Sequence, residues 1–263
     1  MQALKSHYPV LEQAKAHTYI DSATYDAMYQ QSIDQPEVFW AQQAEEFLDW
    51  YKPWDSVTDV DMKAADIKWF SGGKLNVSYN CIDRHLVSKA NDTAIIWEGD
   101  NPSEDEKITY QELHDHVCRF ANLLKARGVK KGDRVCIYMP MIPEIGYAML
   151  ACARIGAVHS VVFGGFSTEA IRSRIIDADC QVVITSDESL RGGRVIPIKS
   201  NVDAAIVDCP NVHSVIVVER TAGDIAWNDK VDVNYQQEVA KFPAACEPEV
   251  MDAEDPLFIL YTS

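Results

Sequence analysis

The chain has 263 residues, of which 47% are apolar and 10% aromatic, enough for one large α/β domain or two small ones. Lys+Arg of 24 against Asp+Glu of 40 gives a net charge of −16 and a pI near 4.7. A field of that sign repels nucleic acid and anionic membrane, so any anionic ligand needs a local basic or backbone-amide site.

The opening "MQALKSHYPVLEQAK" lacks the basic-then-apolar layout of a signal peptide. Residues 1–90 read as an aromatic-rich cap: five of the six tryptophans lie between Trp40 and Trp97. Within it, Pro36-Glu37 suits a helix start and Pro53 an end, and "SGGKLNVSYN" reads as a turn followed by short extended structure.

From about residue 105 the pattern is regular. Tyr110, Leu113, Val117, Phe120 and Leu124 recur at steps of three and four, one face of a helix. Thr109 with Glu112 predicts a capping box at its start, and Gly128 closes it. "DRVCIYM" is a strand; Pro143-Glu144 opens a helix that Gly156 ends. "AVHSVVF" is the next strand, Ser167 caps a helix running to about Asp177, and "QVVIT" is a third strand. A helix near 197–207 and the strand "SVIVV" continue the alternation. This spacing predicts an α/β fold with a parallel sheet covered by helices on both faces. Residues 219–255 hold ten acids against three bases and read as a solvated excursion. Leu257–Leu260 reads as a short, fully buried strand after Pro256.

The cysteines at 81, 118, 136, 152, 180, 209 and 246 contain no C-x-x-C pair and suggest neither a disulfide framework nor a zinc site. Cys136 and Cys152 fall in apolar patterns and read as core residues. The most apolar stretch is interrupted by Arg154 and His159 and is no membrane span, so the chain reads as reduced, soluble and cytoplasmic. His159 reads as a satisfied core histidine, and His114 with His116 are badly placed for a shared metal.

Two glycine pairs stand out. Gly164-Gly165 follows a strand and precedes a capped helix, where glycines with φ > 0 let amides converge into an anion-accepting concavity. Gly192-Gly193 follows the next strand, flanked by Arg191 and Arg194, which can clamp a phosphate. In a parallel sheet both loops emerge at the carboxyl edge, where α/β proteins bind ligands. Ordinary tight turns with solvated arginines are the competing reading. No G-x-G-x-x-G, P-loop, G-x-S-x-G or H-E-x-x-H motif is present, so local spacing supplies no dinucleotide site, nucleophile or base.

An ordered set of segments carries a resemblance: "FWAQQAEEFLDWYKPW", "IKWFSGGKLNVSYNCIDRHL", "TAIIWEGD", the run from "ITYQELHDHVCRF" to "LRGGRVIPIK", and the final "AEDPLFILYTS". Together they resemble the AMP-forming acetyl-coenzyme A synthetases of the adenylate-forming superfamily, from about residue 20 to Ser263. In that family "YTS" leads into a Gly/Ser/Thr-rich loop around the ATP phosphates. The resemblance therefore implies an amino-terminal portion of a longer enzyme, with Tyr261, Thr262 and Ser263 as the lead-in. It implies a cap over 1–90 and a partial AMP-binding domain over 91–263. It further implies the substrates acetate, ATP and coenzyme A, with Mg²⁺, an acetyl-adenylate intermediate, and ATP and Mg²⁺ ligands beyond Ser263. The residues implied here are those of the coenzyme A nucleotide site: Arg191, Gly192, Gly193 and Arg194 at its phosphorylated end, Phe163, Gly164 and Gly165 beside them, and Ile196 at the adenine. Other short-chain acyl-CoA synthetases, or a non-catalytic coenzyme A-binding module, remain as alternatives.

Overall fold

The computed structural model describes residues 9–262; residues 1–8, where the leader reading falls, and Ser263 of the lead-in lie outside the described residues. The chain divides into two compact units, one comprising residues up to Leu48 with Ser56–Trp69, the other Asp49–Asp55 with the remainder from Phe70.

In the first unit, α1 (Glu12–Ala16) precedes α2 (Ser22–Asp34), which the Asp21 carboxylate caps by accepting from Thr24 N at 2.8 Å. Pro36 opens α3 (Pro36–Phe47) as expected, and this helix buries Phe39 and Ala44. β1 (Ser56–Asp61) pairs with β2 (Asp66–Ser71).

The second unit carries the turn and short strand expected of "SGGKLNVSYN", the strand being β3 (Lys74–Leu75), and then a π-helical turn over Tyr79–Asp83. Asn76 causes this: its amide donates to the carbonyls of Ala153, Arg154 and Glu249, and its Oδ1 accepts from Tyr79 N. α4 (Arg84–Lys89) and the antiparallel strands β4 (Thr93–Glu98) and β5 (Asp105–Thr109) follow. Then come α5 (Tyr110–Ala126), β6 (Arg134–Met139), α6 (Pro143–Arg154), β7 (Val158–Phe163), α7 (Thr168–Asp177) and β8 (Val182–Ser186). Next are the hairpin strands β9 (Ser189–Arg191) and β10 (Arg194–Ile196), then α8 (Ile198–Ile206) and β11 (Ser214–Val218). β12 (Asp232–Asn234), α9 (Tyr235–Val239), β13 (Met251–Asp252) and β14 (Phe258–Ile259) complete the order.

Six strands form one sheet in the order β12-β11-β8-β6-β7-β14, every pairing parallel. The side-chain period of two divides it cleanly. Val135, Ile137, Val182, Ile184, Ile216 and Val218 pack on one face with α5, α6 and α9. Cys136, Tyr138, Val183, Val215 and Val217 pack on the other with α7 and α8. The capping box at Thr109 and Glu112 is formed, and Leu113, Val117, Phe120 and Leu124 of the expected face are buried.

Three expectations need correction. The acidic stretch after Glu219 contributes to the sheet: β12 pairs with β11, and Val233, Tyr235 and Cys246 enter the core. Its Asp232 is buried because Lys199 Nζ meets it at 2.9 Å. The strand near Leu257–Leu260 exists but is an edge strand paired only to β7, which leaves Phe258 and Leu260 exposed. His159 is buried, yet its Nδ1 has no hydrogen-bond partner.

Candidate functional site

Strand order turns at β6: β7 lies to one side and β8, the next strand in the chain, to the other. The loops leaving the carboxyl ends of these strands therefore splay apart and open a crevice, the usual ligand position in such sheets. Here the crevice is a cavity of about 460 Å³.

Its floor is the β6–α6 connection, Pro140 to Ile142. This loop is held by Trp97, whose Nε1–H donates to Met141 O at 2.8 Å. The Arg220 guanidinium stacks over the Trp97 ring at 5.3 Å and pairs with Glu104. Arg220 is in turn placed by the buried Asp187 carboxylate, which accepts from Arg220 N at 2.8 Å and Thr221 N at 3.1 Å. One buried acid after β8 thus orders the loop after β11 through charge-assisted bonds.

The second wall is the loop after β7. Ser167 caps α7 through Ala170 N as expected. Gly164 and Gly165 do not adopt positive φ, contrary to expectation; close approach explains them instead. A Cβ on Gly164 would stand 3.0 Å from Met139 O, and one on Gly165 would stand 3.1 Å from the Phe163 ring and 3.7 Å from Arg191 Nη1. The Tyr138 hydroxyl lies 3.2 Å from Gly164 O and 3.0 Å from Phe166 O and accepts from Asn201 Nδ2, which fastens the loop to the sheet and α8.

The third wall is the β9–β10 hairpin, with Arg191 paired to Arg194 and Ser189 to Ile196. Gly192 (φ 57°) and Gly193 (φ 71°) both occupy the left-handed region, as a two-residue turn matched to strand twist requires. Their amides are not open to a ligand: Asp100 Oδ1 accepts from Gly192 N and Oδ2 from Gly193 N, each at 2.8 Å. Those amides, Gly193 first, hold the Asp100 carboxyl below its ordinary range. Arg191 and Arg194 are exposed and form no ion pair among the described residues; Arg191 leans over the Phe163 ring at 5.9 Å.

Of the residues nominated from sequence, Phe163, Gly164, Gly165, Arg191 and Ile196 line one cavity, while Gly192, Gly193 and Arg194 form the hairpin tip beyond it. Sequence reasoning missed Trp97, Asp100 and Arg220. "TAIIWEGD" carries the first two, but no local pattern points to a partner about ninety residues away. Among the described residues no group of three or more His, Cys, Asp or Glu side chains could hold a metal ion, and no helix is long and apolar enough to cross a membrane.

Comparison with known proteins agrees with this architecture. Residues 82–263 match the family model of the AMP-binding enzymes, and residues 25–81 that of the acetyl-coenzyme A synthetase N-terminus. An acetyl-coenzyme A synthetase of Saccharophagus degradans is 62% identical over 256 residues, covering 97% of this chain and 40% of the relative. Acetyl-coenzyme A synthetase 2 of Pseudomonas aeruginosa is 58% identical over 258 residues, covering 98% and 40%. This chain therefore spans about 40% of the length of these curated relatives. Among solved structures, acetoacetyl-CoA synthetase from Streptomyces lividans superposes with a TM-score of 0.82 at 26% identity, over 95% of this chain and 38% of that one. The chain belongs to the AMP-binding enzyme family, and its earlier part carries the amino-terminal module of the acetyl-coenzyme A synthetases.

Proposed function

We propose that the protein is an acetate:coenzyme A ligase that forms AMP. Acetate attacks the α-phosphorus of ATP to give acetyl-adenylate and pyrophosphate. The coenzyme A thiol then attacks the acyl carbon and AMP leaves. In-line phosphorus chemistry asks for positioning and charge neutralisation more than for a protein nucleophile, and Mg²⁺ supplies part of that neutralisation when bound. In this reading the chain supplies part of the coenzyme A site and is not assigned the ligands of ATP or Mg²⁺. It is read as a cap over 1–90 and a partial AMP-binding domain over 91–263.

The role of this chain is one part of the coenzyme A nucleotide site. The observation that carries it is that unpaired Arg191 lines the carboxyl-edge cavity with Phe163, Gly165 and Ile196, and that Arg194, its cross-strand partner in the hairpin, stands unpaired at the tip beyond. On a chain of net charge −16 a polyanion needs a local basic cluster of this kind. The guanidinium pair suits the ribose 3′-phosphate by charge-assisted bonds, and Phe163 with Ile196 offers apolar area to the adenine. The compartment in this reading is the cytoplasm, with neither nucleic acid nor membrane as a partner.

The test is an acyl-CoA formation assay on a protein of the relatives' full length carrying this chain, with acetate, propionate and butyrate in turn. ATP- and coenzyme A-dependent acetyl-CoA with AMP as co-product is expected. Best activity on a longer acid overturns the acetate assignment, and ADP in place of AMP overturns the mechanism.

A further inference from the structure

The Gly192-Gly193 turn already holds an anion, and that anion belongs to the chain itself. Asp100 lies in the loop between β4 and β5, and its two carboxylate oxygens each take one of the turn's successive amides at 2.8 Å. The turn is open on its outer side: a Cβ added at either glycine would meet no atom within 4 Å. Two adjacent glycines also carry the largest backbone entropy to be lost on ordering. An unheld turn of this kind would let Arg191 and Arg194 wander.

The loop that brings Asp100 is braced in turn. Gly99 N donates to Glu104 O at 2.6 Å, Ser103 N donates to Asn101 Oδ1 at 3.1 Å, and Glu104 pairs with the Arg220 that stacks on Trp97. The cation that acts on the Asp100 carboxyl is Arg220, not Arg191 or Arg194. The carboxylate is committed to the amides and leaves both hairpin guanidiniums free for a ligand.

We propose that Asp100 is a positioning residue of the coenzyme site: it locks the glycine turn by filling both amides, so that phosphate is read by the Arg191 and Arg194 side chains and not by the turn backbone. This inference rests on the coenzyme A reading above. It differs from a simple electrostatic role, in which a carboxylate near a phosphate site repels the ligand and its removal tightens binding.

The experiment is calorimetric titration of a protein of the relatives' full length carrying this chain, and of its Asp100→Ala, Asp100→Asn and Asp100→Glu variants, with coenzyme A and with 3′-dephospho-coenzyme A, alongside amide hydrogen exchange at Gly192 and Gly193. Loss of the two charge-assisted bonds in Asp100→Ala should weaken coenzyme A binding by about tenfold, weaken the dephospho form less, and speed exchange at both glycines. Asp100→Asn, which keeps one acceptor oxygen, should fall between. Asp100→Glu, which keeps the charge but displaces it by one methylene, should recover only part of the affinity, whereas under bulk charge alone it would match the wild type. Unchanged or tighter coenzyme A binding by Asp100→Ala overturns the inference, as does unchanged exchange at the two glycines. A folded wild-type protein of full relatives' length that binds neither form overturns the coenzyme reading instead, and the glycine exchange rates then still decide whether Asp100 holds the turn.

Discussion

Arg154 and Asp83 face each other as a two-pronged ion pair, Nη1 to Oδ2 and Nη2 to Oδ1 at 2.8 Å each, with the arginine side chain only 3% exposed. Arg154 Nε also donates to Cys246 O, so the guanidinium ties α6 to the turn before α4 and to the segment after α9. Burial opposes the charge, but Asp83 outweighs it and holds the arginine protonated. The residue that interrupts the most apolar stretch of the sequence is thus a buried tie. Arg154→Met leaves the largely buried Asp83, 16% exposed, without its guanidinium and with the His114 ring at 3.7 Å beside it, and should destabilise the fold by about 3–5 kcal/mol, read from the urea midpoint. A change under about 1 kcal/mol would mean that water reaches Asp83 freely.

Lys199 and Asp232 form a second buried pair at 2.9 Å, with side chains 1% and 0% exposed, and Asp203 takes the same ammonium at 2.6 Å. This joins α8 to the edge strand β12. Lys199→Met should cost about 3–5 kcal/mol because two carboxylates lose one cation. The double variant Lys199→Met/Asp232→Asn should be more stable than the sum of the single effects, and strict additivity would contradict the coupling.

His159 links burial to pH. Burial beside the Phe258 ring depresses its imidazole to about 4 from the ordinary value of 6.5. Between those values the unfolded chain binds a proton that the folded chain refuses, so stability is complete above about pH 6.5 and declines as pH falls toward 4. His159→Phe should remove about 2 kcal/mol of the stability lost between pH 7.5 and pH 5, measured by urea unfolding of both proteins at the two values. Parallel losses in both would show that His159 does not titrate in this range.

What could be read ahead of the structure was whatever repeats locally. The α5 face, its Thr109–Glu112 cap and the parallel strands follow from periods of 3.6 and 2 within a short window. The paired glycines at 192 and 193 marked a turn for the same reason, since both need positive φ. β12 escaped notice because its buried acid depends on a lysine 33 residues away. Asp100 escaped notice because the amides it fills lie about ninety residues downstream, where no periodicity reaches. Gly164 and Gly165 were nominated for a conformation they do not adopt; the Met139 carbonyl and the Phe163 ring, not φ, crowd a side chain there.

Arg194 should separate the substrates kinetically. In a protein of full relatives' length, Arg194→Ala should raise the coenzyme A KM by about tenfold through loss of a charge-assisted phosphate contact, with a smaller effect on the ATP KM. Equal increases for both would remove Arg194 from the coenzyme site.

Titration of a protein of full relatives' length carrying this chain with coenzyme A and 3′-dephospho-coenzyme A isolates the one phosphate assigned to Arg191 and Arg194. Coenzyme A should bind about tenfold more tightly or better, and the margin should vanish in the Arg191→Ala/Arg194→Ala variant. Equal affinity for the two ligands in that folded wild-type protein would contradict the assignment of this cavity to the coenzyme.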